Sequence, residues 1–331
     1  MKAISVGIVG ATGAVGHELL ELLVQRNFPV SDLRLFAGAR GAGQVANFRG
    51  RSLTVERLLP GSLRGLDLVL MSAGSAVSRE FGRPAAAEGA IVIDNSSAFR
   101  MDLDVPLVIP EINGHLLSGD ARLIANPNCT TIVVLMALLP VTQAFGLTSL
   151  TVASYQAASG AGAEGLSELL AGTREALDGG VPSHRVFSAP LPFNCIPAIG
   201  AMLPDGATEE EAKLGHESRK ILGLPDLDVA ATCVRVPVER AHGAAVFAQF
   251  NRVLPREDLL ALWSNTPGVR VADLPTPKEA SRRDDVLVGR IRLTDPSGRR
   301  LSLFACGDQI RKGAALNAVQ IAEALLPRIS G

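Results

Sequence analysis

Residues 4–16 read ISVGIVGATGAVG, and they predict how the first part of the chain folds. A short apolar run, typical of a buried strand, passes into a glycine-rich turn, and the residues after it have the apolar spacing of a helix. Glycines there let the backbone approach a pyrophosphate, and the start of the helix supplies N–H groups and a positive dipole. The stretch therefore predicts a dinucleotide-binding turn formed by Gly10, Thr12, Gly13, Ala14 and Val15. Its spacing is GxxGxxG rather than GxGxxG, so a tight turn without a ligand stays open as the alternative.

Further strands follow the turn. The segments 34–37, 66–71 and 90–94 are almost continuously apolar, as expected of strands buried on both faces, and helical stretches lie between them. Alternation of strands and helices predicts an α/β domain with a Rossmann-like, doubly wound parallel sheet.

The pattern changes after about residue 126. Helices are predicted at 129–145, 163–177 and 209–222, and strands at 150–155, 229–238, 244–251, 289–293 and 301–306. The strands 229–238 and 244–251 alternate as in an antiparallel sheet, so the second domain is expected to be α+β with a mixed or antiparallel sheet. An amphipathic helix at 313–326 is expected to pack back on the first domain. The predicted domains are therefore 1–127 with 311–331, and 128–310.

Composition excludes several classes of protein. The 331 residues carry a net charge of −1, with 47% hydrophobic and 20% charged residues, which favours neither nucleic acid nor an anionic membrane as a partner. No apolar run reaches the roughly 20 residues that span a bilayer, and the chain starts without a leader-like segment. The four cysteines are far apart and form no CxxC pair, so neither a disulfide framework nor a metal site is expected. We predict a reduced, cytoplasmic enzyme.

The second strand of the first domain bears on the choice of dinucleotide. An NAD site places Asp or Glu at the end of this strand, but here the sequence from residue 36 reads FAGARG, without an acid. Arg40 is available for a 2′-phosphate, and Gly41 follows it. This favours NADP, with a solvated surface arginine as the alternative.

The stretch NPNCTTI at 126–132 contains a possible nucleophile. Asn128 is a good helix N-cap, and Cys129 in the first turn would have its thiol pKa lowered by the helix dipole. A small apolar residue at the start of a buried helix fits the same letters. Arg235 and His242, in CVRVPVERAH, could frame a carboxylated substrate, or could be a surface arginine and a histidine in a turn.

The chain resembles the bacterial aspartate-β-semialdehyde dehydrogenases over nearly its whole length. The matching stretches occur in the order of that family: GATGAVG, DNSSAFRMD, VPLVIPEIN, NPNCTTI, SYQAASGAG, EEEAK, CVRVPV and GDQIRKGAALNAVQIAE. One departure lies after Arg40, where the family usually has Ser-Ala-Gly-Lys and this chain has Gly-Ala-Gly-Gln. Another is Gln309, where the family usually has Asn.

The resemblance implies roles for individual residues. Cys129 would be the nucleophile, His242 the general acid/base, and Gln156 the residue that orients the substrate. Arg235 would bind the α-carboxylate and Glu210 the α-ammonium of the substrate. The remaining predicted ligands are Arg100, Asn128 and Lys213 for phosphate, and Ser159, Gly160 and Gln309 for the cofactor.

The resemblance also implies the reaction. NADPH would reduce L-aspartyl-4-phosphate to L-aspartate-4-semialdehyde and inorganic phosphate through a cysteine thioester, in the biosynthesis of lysine, threonine, methionine and isoleucine. A homodimer joined through the second domain is expected. Two alternatives stay open: an acyl-phosphate reductase of the N-acetyl-γ-glutamyl-phosphate reductase type, and a catalytically silent paralogue.

Overall fold

The computed structural model describes residues 2–329, which divide into two compact units. The first unit runs to Asn128 and resumes at Ala314, and the second is Cys129–Gly313. The sequence predicts boundaries at 127/128 and 310/311, and the chain divides at 128/129 and 313/314. Within residues 2–329, no helix has both the length and the apolar character needed to cross a membrane.

The first unit is a seven-stranded sheet with helices on both faces. Its strands are β1 (Ile4–Val9), β2 (Val30–Ala37), β3 (Val45–Phe48), β4 (Arg51–Arg57), β5 (Leu68–Met71), β6 (Ile91–Asp94) and β7 (Leu123–Ala125). They lie in the order β3-β4-β2-β1-β5-β6-β7, and only β3 is antiparallel to its neighbour. The helices are α1 (Ala14–Gln25), α2 (Ser75–Ala87), α3 (Pro110–Asn113) and α9 (Leu316–Ile329). The predicted doubly wound sheet is confirmed.

Alternating faces of the central strands explain the layering. Ile8 on β1 and Leu70 on β5 share a buried cluster with Leu22 of α1 and Ile321 of α9. On the opposite face, Gly82 of α2 lies close to Met71 and Phe99. Because side chains alternate between the two faces of a strand, each parallel strand is buried on both sides and reads as a continuous apolar run.

The second unit is built on a six-stranded mixed sheet. Its strands are β8 (Leu147–Gln156), β9 (Asp228–Arg235), β10 (His242–Phe250), β11 (Val269–Val271), β12 (Val286–Leu293) and β13 (Arg300–Gly307), in the order β11-β12-β13-β10-β8-β9. The helices are α4 (Cys129–Phe145), α5 (Gly162–Leu177), α6 (Glu209–Leu222), α7 (Ala261–Ser264) and α8 (Pro277–Ala280). The buried helix α4 packs against the sheet, and Trp263 donates from Nε1 to the Ala137 carbonyl of that helix at 2.7 Å.

Two expectations about these elements are wrong in detail. The strand predicted at 229–238 is not antiparallel to its neighbour in the sheet, because β9 pairs with β8 over its whole length and runs parallel to it. Alternation reports which face of a strand is buried but not the direction of its neighbour. The predicted single helix at 313–326 is a π-helical turn, Arg311–Ala315, followed by α9. The wide turn brings Gly313 against Cys129, where a Cβ would lie 2.9 Å from the cysteine Cβ.

Candidate active site

The glycine-rich turn of the first unit leaves room for a ligand beside its backbone. Gly10 has a φ of +86°, and a Cβ on it would lie 2.3 Å from the Ser72 carbonyl oxygen. A Cβ on Gly16 would lie 2.4 Å from the Gly10 oxygen, so both positions require glycine. Helix α1 begins after Gly13, with no side-chain cap and no acidic residue in its first turn. Its first N–H groups are therefore oriented for an anion, as a pyrophosphate needs.

The loop after β2 lies beside this turn within the same unit. Arg40 is exposed, and Gly41 is buried against Thr12. A Cβ on Gly41 would lie 2.9 Å from the Thr12 hydroxyl and 2.8 Å from the Ala37 Cβ, so this loop has no space for a serine at 41. The close contact gives a physical reason for glycine rather than serine at position 41.

Cys129 is the first residue of α4, and its side chain is partly exposed. The preceding residues are in the first unit, where Arg100 is buried and donates from Nε to the Asn126 carbonyl and from Nη2 to the Asn95 carbonyl, both at 2.9 Å. Asn128, also buried, is the last residue of that unit before Cys129. The thiol therefore stands at the start of a long helix, where the dipole favours thiolate.

His242 opens β10 and is 1% exposed. The backbone N–H of Ala157 donates to its Nδ1 at 3.1 Å, so Nδ1 is an acceptor and the proton of the neutral ring is on Nε2. Nε2 has no hydrogen-bond partner among residues 2–329. Burial, with a smaller contribution from the charge of Arg235, lowers the pKa of His242 to about 3. The ring is therefore a neutral Nε2–H donor at neutral pH.

Arg235, the last residue of β9, contacts the backbone of the same residue, Ala157. Its Nη1 donates to the Ala157 carbonyl at 2.6 Å, and its guanidinium stacks over Phe187 at 5.7 Å. Burial lowers the pKa of Arg235, and the nearby Cys129 and Glu210 oppose that shift. A Cβ on Gly160 would lie 2.8 Å from Arg235 Nη1 and 3.2 Å from His242 Nε2, so this glycine keeps space between the two side chains.

Gln156 and the start of α6 complete this side of the site. Gln156 is buried at the end of β8, and its Nε2 lies 3.3 Å from Glu210 Oε1. The other Glu210 oxygen is 3.5 Å from Lys213 Nζ. Thr208 and Glu211 form a reciprocal capping box, which sets the register of the helix. Because Glu211 is used as the cap, Glu210 is the acid of the Glu209–Glu211 triplet that faces Gln156.

Ser159 and Gln309 lie together next to the loop that precedes His242. Gln309 Nε2 donates to Ser159 Oγ at 2.6 Å, and Gln309 Oε1 accepts from the Ala241 N–H at 2.7 Å. Ser159 Oγ donates in turn to the Glu239 carbonyl at 2.5 Å. Both ends of the Gln309 amide are therefore bonded to protein groups of the second unit.

The structure brings together, in the second unit, Cys129, Gln156, Glu210, Arg235 and His242, with Lys213, Ser159, Gly160 and Gln309 near them. The first unit holds Arg100, Asn128, Arg40, Gly41 and the glycine-rich turn. Sequence reasoning missed Ala157 and Asp308. Ala157 acts through its backbone atoms, which leave no signal in the sequence, whereas Asp308 stands out only as an acid before Gln309.

Comparisons with known proteins agree over nearly the entire chain. Residues 5–119 match the family model of the semialdehyde dehydrogenase NAD binding domain, and residues 138–312 match that of the semialdehyde dehydrogenase dimerisation domain. The chain is 46% identical to the aspartate-semialdehyde dehydrogenase of Synechocystis sp., covering 98% of both chains. It is 44% identical to that of Streptomyces akiyoshiensis, covering 98% of this chain and 99% of the relative.

A solved structure is similar over nearly the whole length of the chain. The crystal structure of aspartate semialdehyde dehydrogenase II from Vibrio cholerae complexed with ASA superposes with a TM-score of 0.96 at 39% identity, covering 99% of both chains.

Proposed function

The chain belongs to the aspartate-semialdehyde dehydrogenase family, and we propose which of its residues carry out the reaction of that family. The activity is the reductive dephosphorylation of L-aspartyl-4-phosphate to L-aspartate-4-semialdehyde, in the biosynthesis of lysine, threonine, methionine and isoleucine. The observation that supports the assignment of roles most strongly is the arrangement of His242 and Arg235 about a single residue, Ala157.

The residues of the first unit fit a dinucleotide. The uncapped start of α1 and the close-packed Gly10 and Gly16 suit a pyrophosphate at Thr12–Val15, and Arg40 with Gly41 suits a 2′-phosphate. NADPH, when bound, supplies the hydride. The absence of an acid after β2 supports NADP over NAD. In the second unit, Ser159 and Gly160 are proposed near the nicotinamide on the basis of the resemblance. Gln309 is proposed beside them without a direct contact to the cofactor, because both ends of its amide are bonded to protein groups.

Cys129 begins the chemistry. Its thiolate attacks the acyl carbon of aspartyl phosphate, the new C–S bond forms, and the bond to the phosphate oxygen breaks. Lys213 lies beside Glu210 as a cation for the leaving phosphate, and Arg100 and Asn128 stay predicted phosphate ligands from the first unit. A thioester results, which is electrophilic enough to accept a hydride, and thiolate is a good leaving group.

His242 handles the proton. Its Nε2–H hydrogen-bonds to the alkoxide formed when the thioester is reduced and shares its proton with that oxygen, and the proton is fully back on Nε2 when the alkoxide collapses to the aldehyde and the Cys129 thiolate. The Ala157 N–H on Nδ1 selects the tautomer that can make the first transfer. Gln156 is proposed to orient the substrate, because its side-chain amide extends from the last residue of β8 to Glu210, the proposed ligand of the α-ammonium.

Substrate recognition uses the charges next to these groups. Arg235 offers a planar guanidinium for the α-carboxylate, and its hydrogen bond to Ala157 fixes the plane. Glu210 offers a carboxylate for the α-ammonium. Both charges are buried, so a substrate that lacks its α-carboxylate or its α-ammonium would lose one of these two charge-assisted contacts.

An assay with both nicotinamide cofactors tests the function. Purified protein should reduce NADP⁺ in the presence of L-aspartate-4-semialdehyde only when inorganic phosphate is added, because phosphate must cleave the thioester. NAD⁺ should be the poorer oxidant. Turnover of N-acetyl-glutamate-5-semialdehyde alone would instead identify a reductase of the N-acetyl-γ-glutamyl-phosphate reductase type. A catalytically silent paralogue would turn over neither substrate. The full-length relatives do not favour either alternative.

A dimer fits the second unit. Residues 138–312 match a dimerisation domain. Tyr155 on β8 and Phe247 on β10 are exposed on the sheet face, with the Tyr155 ring 5.9 Å from that of Phe304. We propose that a second copy of the chain covers this face, and that Phe247→Asp shifts the protein to a monomer in light scattering. We also propose a cytoplasmic location, which the biosynthetic role and the free cysteines support.

A further inference from the structure

The segment that leads into His242 is tied to side chains at each of its three residues. Ser159 Oγ donates to the Glu239 carbonyl at 2.5 Å, Arg240 Nε donates to Asp308 at 2.6 Å, and the Ala241 N–H donates to Gln309 Oε1 at 2.7 Å. Asp308 and Gln309 are adjacent and fully or almost fully buried. Such a set of bonds determines the backbone path immediately before β10.

Ala241 is held in an unusual conformation. Its φ is +71°, in the left-handed region that a residue with a Cβ seldom adopts, and the residue is completely buried. Strain of this kind persists only where the surroundings hold it. The Gln309 oxygen accepts the N–H of this same residue, which would otherwise need another partner in the interior.

The orientation of the Gln309 amide is set by its neighbours. A backbone N–H can only donate, so the Gln309 atom that faces Ala241 must be the oxygen, and the nitrogen then donates to Ser159. The side chain is 4% exposed. Its amide therefore joins two segments that both contact His242. One is 157–159, which donates to the imidazole, and the other is 239–241, which precedes the histidine in the chain.

We infer that Gln309 is a positioning residue for His242, which holds the left-handed Ala241 peptide and through it the start of β10 that carries the imidazole. The inference rests on the proposed role of His242 as the proton carrier. A displaced imidazole slows proton transfer and leaves cofactor binding intact, whereas loss of a direct cofactor contact weakens NADP⁺ binding. A positioning role for Gln309 would therefore change kcat, whereas a direct contact with the cofactor would change the dissociation constant of NADP⁺.

Gln309→Leu removes both hydrogen bonds at nearly constant volume. The kcat of phosphate-dependent NADP⁺ reduction should fall about 100-fold, while the Kd of NADP⁺ from calorimetry stays within about two-fold of the wild-type value. Amide hydrogen exchange in the peptide covering residues 239–243 should become faster. The same replacement at Gln320, which donates to Glu111 in the first unit, is the matched control and should change none of the three values.

A second variant tests the part played by Ala241. Glycine adopts a positive φ without strain, so Gln309→Leu combined with Ala241→Gly should recover part of the lost kcat and should fold even if the single variant does not. No gain in kcat over the single variant would overturn the role of Ala241. Weaker NADP⁺ binding with kcat retained, or unchanged exchange at 239–243, would overturn the inference as a whole. Hydrogen exchange at 239–243 can be measured without turnover. If the wild type proved inactive, the proposed function would be contradicted, and the exchange experiment would still test the positioning role of Gln309.

Discussion

The N–H of Ala157 donates to Nδ1 of His242 at 3.1 Å, and this one bond determines which nitrogen of the ring carries its proton. The carbonyl of the same alanine accepts from Arg235 at 2.6 Å. The proposed proton carrier and the proposed carboxylate ligand are thus hydrogen-bonded to the backbone of one residue, which directly follows β8. Their spacing depends on backbone geometry rather than on flexible side chains, which suits a site that must align a small charged substrate.

Stability should depend on pH through His242. Its pKa in the folded protein is lowered to about 3 by burial, against an ordinary 6.5. Between these values the unfolded chain binds a proton that the folded chain does not, so stability is lost as the pH falls below about 6.5 toward about 3. From about pH 8 to about pH 5.5, the wild type should lose about 1.4 kcal/mol more unfolding free energy than His242→Gln.

Urea unfolding at the two pH values measures this difference. Carboxylates elsewhere titrate in both proteins and cancel in the comparison. Equal losses in the wild type and His242→Gln would mean that the histidine is not held neutral by burial.

Arg235→Lys should impair binding of the semialdehyde. An ammonium cannot pair with a carboxylate through two parallel bonds, and it would lose the stacking on Phe187. We expect KM for L-aspartate-4-semialdehyde to rise about ten-fold, with the Kd of NADP⁺ unchanged. Steady-state kinetics check this, with Arg299→Lys, at an exposed position, as the control. An unaltered KM and kcat in Arg235→Lys would remove the carboxylate role.

Arg40→Ala tests the cofactor preference. If Arg40 meets the 2′-phosphate, its loss should raise the Kd of NADP⁺ about five-fold and leave that of NAD⁺ unchanged. Arg51, exposed at the opposite end of β4 from the loop, provides the control variant Arg51→Ala. Titration calorimetry gives the Kd of each cofactor for the wild type and for Arg40→Ala. An equal rise in Kd for NADP⁺ and NAD⁺ would argue against a contact between Arg40 and the 2′-phosphate.

The sequence was most informative where one residue type has one physical reason to be present. Gly10 and Gly16 each stand where a Cβ would overlap a backbone atom, so the turn could be read directly. The predicted start of α4 at Cys129 is confirmed, because the polar residues before the apolar run are a local signal. The buried parallel strands were found from continuous apolar runs.

Other features depend on contacts between distant segments. The parallel pairing of β9 with β8 is fixed by Ser149–Gln156 lying against Asp228–Arg235, which alternation cannot show. Short strands such as β3 and β4 are partly exposed and lack an apolar run. The positive φ of Ala241 and its bond to Gln309 join positions far apart in the chain, and an alanine gives no hint of such a conformation.

Cys129 is the residue on which the thioester mechanism depends, and phosphate-dependent NADP⁺ reduction by Cys129→Ser tests its role. We expect turnover to fall at least about 10³-fold, with circular dichroism and thermal unfolding like those of the wild type, because a serine hydroxyl is not ionised at the start of α4. Cys195→Ser, at an exposed free cysteine, should keep full activity. Wild-type turnover in Cys129→Ser would contradict the mechanism.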